Sequence, residues 1–114
     1  MINYEDFAKI EIKIGEVLSV DLIEGADKLL LCMVDVGDID AEGNRAPRQI
    51  LSGIREYLPD PQILVGKKFP YITNLAPRVI RGFESQGMIL AGSLEGTLAL
   101  LVPSADLPPG TPIR

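Results

Sequence analysis

The sequence predicts an all-β fold, a small barrel or sandwich with almost no helix. Three observations lead there. Apolar residues recur in short runs with a period of two rather than 3.6. The runs are divided by turns that use most of the 11 glycines and 9 prolines. The first strand pattern is long and falters at a glycine, as a small barrel requires when one strand serves both of its sheets.

Taken in order, Asp6-Phe7-Ala8-Lys9 reads as a short helical turn with Asp6 as candidate cap. In the first strand Ile10, Ile12, Ile14, Leu18 and Val20 share one phase, opposite Glu11, Lys13, Ser19 and Asp21. The pattern breaks at Glu16 and Val17, directly after Gly15, which marks a bulge or bend. Glu24-Gly25-Ala26-Asp27 is a turn, and Leu29 to Val36 reads as a strand buried on both sides, although its periodicity alone does not exclude a helix. Asp38 to Pro47 is polar and reads as a mobile loop. Gln49 to Ile54 is a third strand, and a helical turn is expected around Gln62-Ile63-Leu64. Phe69 to Leu75 is a fourth strand, with Pro70 placing that end at an edge or bulge. Gly87 to Ala91 and Thr97 to Val102 are strands joined by the turn at residues 92–96, and the proline-rich tail is an extended closure.

The 114 residues suit one domain, 1–114, with one modest core. No apolar run approaches the ~20 residues that span a bilayer. The first residues have neither the basic nor the apolar region of a signal peptide. Cys32 is the only cysteine and lies in the apolar run Leu29 to Val34, so a buried inert thiol in a reducing cytoplasm is expected. The chain has no histidine, which excludes Ser-His and Cys-His nucleophile pairs and leaves no plausible zinc set. Its carboxylates are scattered over turns and strand edges. No enzyme, no metal and no cofactor is expected.

Net charge is −5, which by itself disfavours a phosphate-bearing partner. The distribution is uneven, however. Residues 61–83 carry Lys67, Lys68, Arg78 and Arg81 with no acid, a basic track on an acidic body. The stretch Asn74 to Met88 then brings chemistry together. Arg78 and Arg81 lie between Pro77 and Gly82, and Ser85, Gln86 and Met88 follow. Arginine forks onto phosphate or stacks on a base, while serine and glutamine read base edges. Asn74 either caps the loop or contacts a nucleotide. An ordinary solvated surface, with Met88 in the core, is the competing reading.

These residues resemble the signature of the tRNA-binding domain family, which includes the C-terminal domain of bacterial methionyl-tRNA synthetase, free-standing tRNA-binding proteins, and modules of the endothelial monocyte-activating polypeptide type. The resemblance runs through Asp6-Phe7-Ala8-Lys9-Ile10, Lys13-Ile14-Gly15, Ala26-Asp27-Lys28-Leu29, Ser52-Gly53-Ile54, Asn74-Leu75-Ala76-Pro77, Arg81-Gly82 and Ser85-Gln86-Gly87-Met88. It is closest to the synthetase-appended branch. It implies an oligonucleotide-binding (OB) five-stranded barrel with short helical turns and extra C-terminal strands. It further implies a homodimer that binds tRNA by shape, free-standing or beside an aminoacyl-tRNA synthetase. Lys13 and Lys28 would meet phosphate, with Ser52 on the adjoining strand. Asn74, Arg78 and Arg81 would hold the RNA backbone, and Ser85, Gln86 and Met88 would lie nearest the bases. Lys13 stands where the family often has arginine, and Asp38, Asp40 and Glu42 add acid, so the expected binding is weak and salt-sensitive. Alternatives are a peptide-binding export chaperone of the same fold, or a dimerisation and docking appendage.

Overall fold

Asn3 opens the first ordered element. Its side chain accepts from the Asp6 backbone N–H (2.9 Å), and the Asp6 carboxylate accepts from Asn3 N–H (3.3 Å). This reciprocal box caps helix α1, Tyr4–Ala8. Asp6 is therefore the inner partner of the cap, and Asn3, not Asp6, is the N-cap. The computed structural model describes every residue from Met1 to Arg114.

The strands that follow are β1 (Ile12–Leu22), β2 (Leu30–Asp35), β3 (Arg48–Ser52) and β4 (Lys68–Ile72), then β5 (Arg78–Ile80) and β6 (Phe83–Ser85) as a hairpin of their own. The short β7 (Met88–Ile89) and the hairpin β8 (Ala91–Leu94) and β9 (Thr97–Leu100) complete the chain. The main sheet has the order β3-β2-β1-β4-β7, antiparallel throughout. The expected five-stranded OB-like barrel is thus present, nearly closed. Closure comes from β3 meeting the segment around Ser85 and Gln86. Gln86 N–H donates to Gln49 O (2.8 Å), and Leu51 N–H donates to Ser85 Oγ (3.0 Å).

β1 serves both sheets as expected, pairing with β4 through Ile12–Glu16 and with β2 through Glu16–Leu22. The irregularity lies between Val17 and Ser19, not at Gly15. Gly15 is required for space: a Cβ there would come within 2.6 Å of Tyr71 Cδ1 and 2.7 Å of Val34 Cγ1. The bulge also reverses the phase read from the sequence. Gly15 and Val17 face the interior, and Val20 returns to it after the irregularity, while Leu18 is exposed. Ile14 is buried against the C-terminal segment instead. Its backbone N–H donates to Thr111 O (2.9 Å) and its carbonyl accepts from Gly110 N–H (2.8 Å).

β2 presents Leu30, Cys32 and Val34 to the core and leaves Leu31 and Met33 half-buried, so it is buried on one face rather than two. With Ile50, Leu64, Phe69 and Tyr71 these residues make the interior. Leu64 enters from the expected helical turn, a 3-10 turn at Pro61–Leu64 capped by Asp60. Pro70 occupies the end of the β4–β7 ladder: its carbonyl accepts from Leu90 N–H (3.0 Å), and no strand beyond asks it for a donor. The segment Asp38 to Pro47 is a small folded excursion, with an Ile39–Arg45 bridge and Asp40 accepting from Glu42 and Asn44 N–H. The last hairpin turns at Glu95-Gly96, both with positive φ (49° and 79°), so residues 92–94 are strand where the sequence suggests a turn.

Candidate nucleic-acid interface

The stretch that reads as a loop with two arginines is the β5–β6 hairpin. Its turn is Arg81-Gly82, with φ of 53° and 83°, the two-residue geometry that matches strand twist. A non-glycine residue in this region costs roughly 1 kcal/mol. It is the strained position that carries an arginine to the apex. Arg78 sits at the base of the hairpin, opposite Ser85.

A small cavity of about 80 Å³ opens beside the hairpin, lined by Leu51, Leu75, Arg78, Ile80, Ser85 and Met88 among others. Three of the expected site residues therefore share it. Met88 is 44% exposed and forms the ridge to a second hollow of about 280 Å³ that includes Ser52, Tyr57 and Leu98. Gly87 is tightly placed: a Cβ would lie 3.0 Å from Ile50 Cδ1 and 3.1 Å from Ile72 O. On the far side of the tip, a shallow depression is lined by Asp27, Lys28 and Arg81 among others. Neither Lys28, Arg78 nor Arg81 has a carboxylate oxygen within 4.0 Å.

The other expected residues are engaged by the protein itself. Asn74 Oδ1 accepts from Glu11 N–H (2.8 Å) and its Nδ2 donates to Lys9 O (2.6 Å), which clamps the N-terminal segment to the end of β4. Ser85 Oγ is buried; it accepts from Leu51 N–H and donates to Gly87 O (3.2 Å). Gln86 Oε1 accepts from Gln49 N–H (3.1 Å). These two side chains supply hydrogen bonds that a regular β3–β6 ladder would have made. Lys13 is half-buried and paired with Glu11 (3.4 Å). A hydrogen bond from Thr73 Oγ1 (2.7 Å) holds the Glu11 carboxyl below its ordinary pKa, aided by the nearby charges of Lys13 and Arg48.

Lys68 belongs elsewhere, bound to Asp106 (2.8 Å) and Leu107 O (2.7 Å) in the tail. It opens β4 while the hairpin follows that strand's end, some 14 Å on at ~3.4 Å per residue. The acid-free stretch of sequence is therefore two places on the surface.

Arg48 is a neighbour of the candidate site that the sequence does not single out. Its guanidinium forks onto Asp38 (2.6 and 3.3 Å) and donates to the carbonyls of Thr73 and Gln86, tying the rim of the interface together. In sequence it is one arginine after an acidic loop, with no periodic signal to separate it from a solvated charge. Phe83, beside Arg81 on the hairpin, is hidden for the same reason.

Residues 12–112 match the family model described as "Putative tRNA binding domain". Methionine–tRNA ligase of Lactococcus lactis is 46% identical over 111 residues, covering 96% of this chain and 16% of the ligase. The chain thus spans about a sixth of the curated relatives it matches. Among solved structures, a MetRS-related protein from Pyrococcus horikoshii superposes with a TM-score of 0.87 at 31% identity, covering 100% of this chain and 98% of that one. The chaperone CsaA of Bacillus anthracis gives 0.83 at 29% identity, covering 100% and 99%. On its signature residues, its barrel and these likenesses, the chain belongs to the tRNA-binding domain family.

Proposed function

We propose that residues 1–114 act as one RNA-binding unit that holds tRNA weakly through its backbone and shape, performs no reaction, and works as a homodimer beside a methionyl-tRNA synthetase or alone in the cytoplasm. The observation that carries this is the grouping at the hairpin: Arg78, Ser85 and Met88 around one cavity, with Arg81 and Lys28 sharing the adjacent depression with Asp27, neither of them in an ion pair. The homodimer draws support from aliphatic surface on the last hairpin and tail, where Leu94 is 76% and Val102 67% exposed. Sedimentation as a 12.4 kDa monomer at tens of micromolar would remove it.

A salt titration of tRNA binding tests the RNA contact. Each phosphate contact contributes roughly 0.7–0.9 to the slope of log affinity against log salt. Arg78→Ala with Arg81→Ala should weaken binding and flatten the slope by about one to two units, alike for unrelated tRNAs. Unchanged slope and affinity would refute it. Peptide capture then becomes the better reading, favoured by the likeness to the chaperone CsaA and by the exposed Met88 ridge between two apolar hollows.

A further inference from the structure

The hairpin tip and the β1–β2 turn enclose an open cleft of about 530 Å³, lined by Asp21, Leu22, Glu24, Leu31, Arg81 and Phe83 among others. That volume lies within the usual range of small-molecule sites, roughly 300–1,000 Å³. We propose that this cleft takes a single unstacked guanine of a bound RNA strand. The proposal rests on the RNA-binding reading above and names what one part of that surface selects.

Three features converge. Phe83 is 37% exposed and, with Leu22 and Leu31, gives the cleft an apolar side on which a base can stack. Arg81 is held at the apex by a backbone conformation unusual for a non-glycine residue. Asp21 and Glu24 line the same cleft, yet no carboxylate lies within 4.0 Å of Arg81. The cleft therefore offers one cation and two carboxylates that do not satisfy each other. An occupant that satisfies both must carry an anion at one end and N–H donors at the other, with a flat apolar body between. A nucleotide has that composition.

The charges also set its direction. Two carboxylates, Asp21 and Glu24, repel phosphate from this cleft, whereas in the hollow on the other flank of Arg81 Lys28 offsets the single carboxylate of Asp27, so the phosphate is drawn there. The base is left facing the carboxylates. A carboxylate has two acceptor oxygens and no donor. Guanine alone among the four bases presents two adjacent donors on its Watson–Crick edge, the N1 imino and N2 amino groups. Adenine and cytosine offer one amino group beside an acceptor nitrogen, and uracil one imino group between two carbonyls.

The chain has no tryptophan, so Phe83→Trp introduces a single stacking reporter. The full chain carrying it is titrated with the single-stranded pentamers UUGUU and UUIUU, inosine lacking the N2 amino group. UUGUU should quench the tryptophan, and UUIUU should bind roughly tenfold more weakly, as loss of a hydrogen bond to a charged group predicts. Asp21→Asn with Glu24→Gln should erase that difference while the quench remains. Where the tryptophan variant fails to fold, amide shifts of Leu22, Leu31 and Phe83 in the wild-type chain report the same contact. Equal binding of the two pentamers, or silent reporters, overturns the guanine site. Fluorescence anisotropy with labelled tRNA on the same wild-type samples separates the two levels. Bound tRNA with a silent cleft refutes this site alone, whereas no tRNA binding refutes the RNA-binding reading and the site with it.

Discussion

Gly15→Ala puts one methyl group where the barrel is tightest. Its Cβ would lie 2.6 and 2.8 Å from Tyr71 Cδ1 and Cε1, and 2.7 Å from Val34 Cγ1. Carbon atoms in contact rest roughly 3.5–4.0 Å apart, so both neighbours must retreat by about 1 Å. Tyr71 and Val34 are fully buried, and a close-packed interior has little space to receive them. Overpacking of this kind costs about 1–3 kcal/mol. Replacing a strand glycine by alanine returns roughly 0.5–1 kcal/mol through the backbone. The steric effect wins, leaving a loss of about 1–2 kcal/mol and a fall in Tm of about 4 °C for each kcal/mol. Urea denaturation followed by circular dichroism measures it. Val34→Ala opens space on one side of the new methyl, so the double variant should lose less than the sum of the singles, by about 1 kcal/mol. An alanine variant within about 0.5 kcal/mol of the parent, or strict additivity with Val34→Ala, would refute the packing account.

Ser85→Ala leaves the buried Leu51 N–H without its acceptor, and should cost about 1–3 kcal/mol in urea denaturation while the salt slope of tRNA binding stays at the parent value. A flattened slope would instead put Ser85 among the phosphate contacts. Thr73→Val removes the hydroxyl that most strongly holds the Glu11 carboxyl below its ordinary pKa. Because the folded value is depressed, that contribution to stability is present above the ordinary carboxylate range and is lost as pH falls through the depressed value. The variant should raise the Glu11 titration seen by carboxyl NMR and flatten the acid limb of the stability profile; an unmoved titration refutes the assignment. Burial, with Asp21 adding to it, pushes the Cys32 thiol up to about 11. It should resist alkylation at mildly alkaline pH until the chain unfolds, and rapid labelling of native protein would contradict its place in the core.

The barrel was legible because its strands alternate and its turns are punctuated by glycine and proline. What misled was local and had physical causes. The irregularity beyond Val17 shifts the phase of β1, so Ile14 and Leu18, which read as core partners of Val20, face the tail and solvent. The Arg81-Gly82 turn needs two positive φ angles, and an arginine in the first gives no sign of a hairpin. Side chains that bond across the barrel were the least legible. Serine and glutamine suit base edges and strand closure equally well, and only the partner 34 or 37 residues away tells that Ser85 and Gln86 hold β3. Asn74 had the same ambiguity and resolves toward the N-terminal segment, 63 and 65 residues back.

The net charge of −5 looked like the strongest sequence argument against a polyanionic partner, and the fold changes what it means. Fields in physiological salt decay over about 8 Å, so a phosphate responds to the charges around it more than to the total. Across the barrel, five of the 11 cations are matched locally: Lys9 with Asp6, Lys13 with Glu11, Arg45 with Asp35, Arg48 with Asp38 and Lys68 with Asp106. Arg55 is turned inward onto the carbonyls of Ile23 and Ala26. Of the cations without a carboxylate, Lys28, Arg78 and Arg81 gather around one hairpin. The acids that share its flanking hollows are Asp21, Glu24 and Asp27, all on the β1–β2 side of the tip. Under the proposed reading, a phosphate chain would pass the three cations and be repelled on the flank of Asp21 and Glu24. Such a surface would orient RNA more strongly than it holds it. On that reading, low affinity, salt-sensitive binding and a preferred direction of approach would follow from the same arrangement of charges.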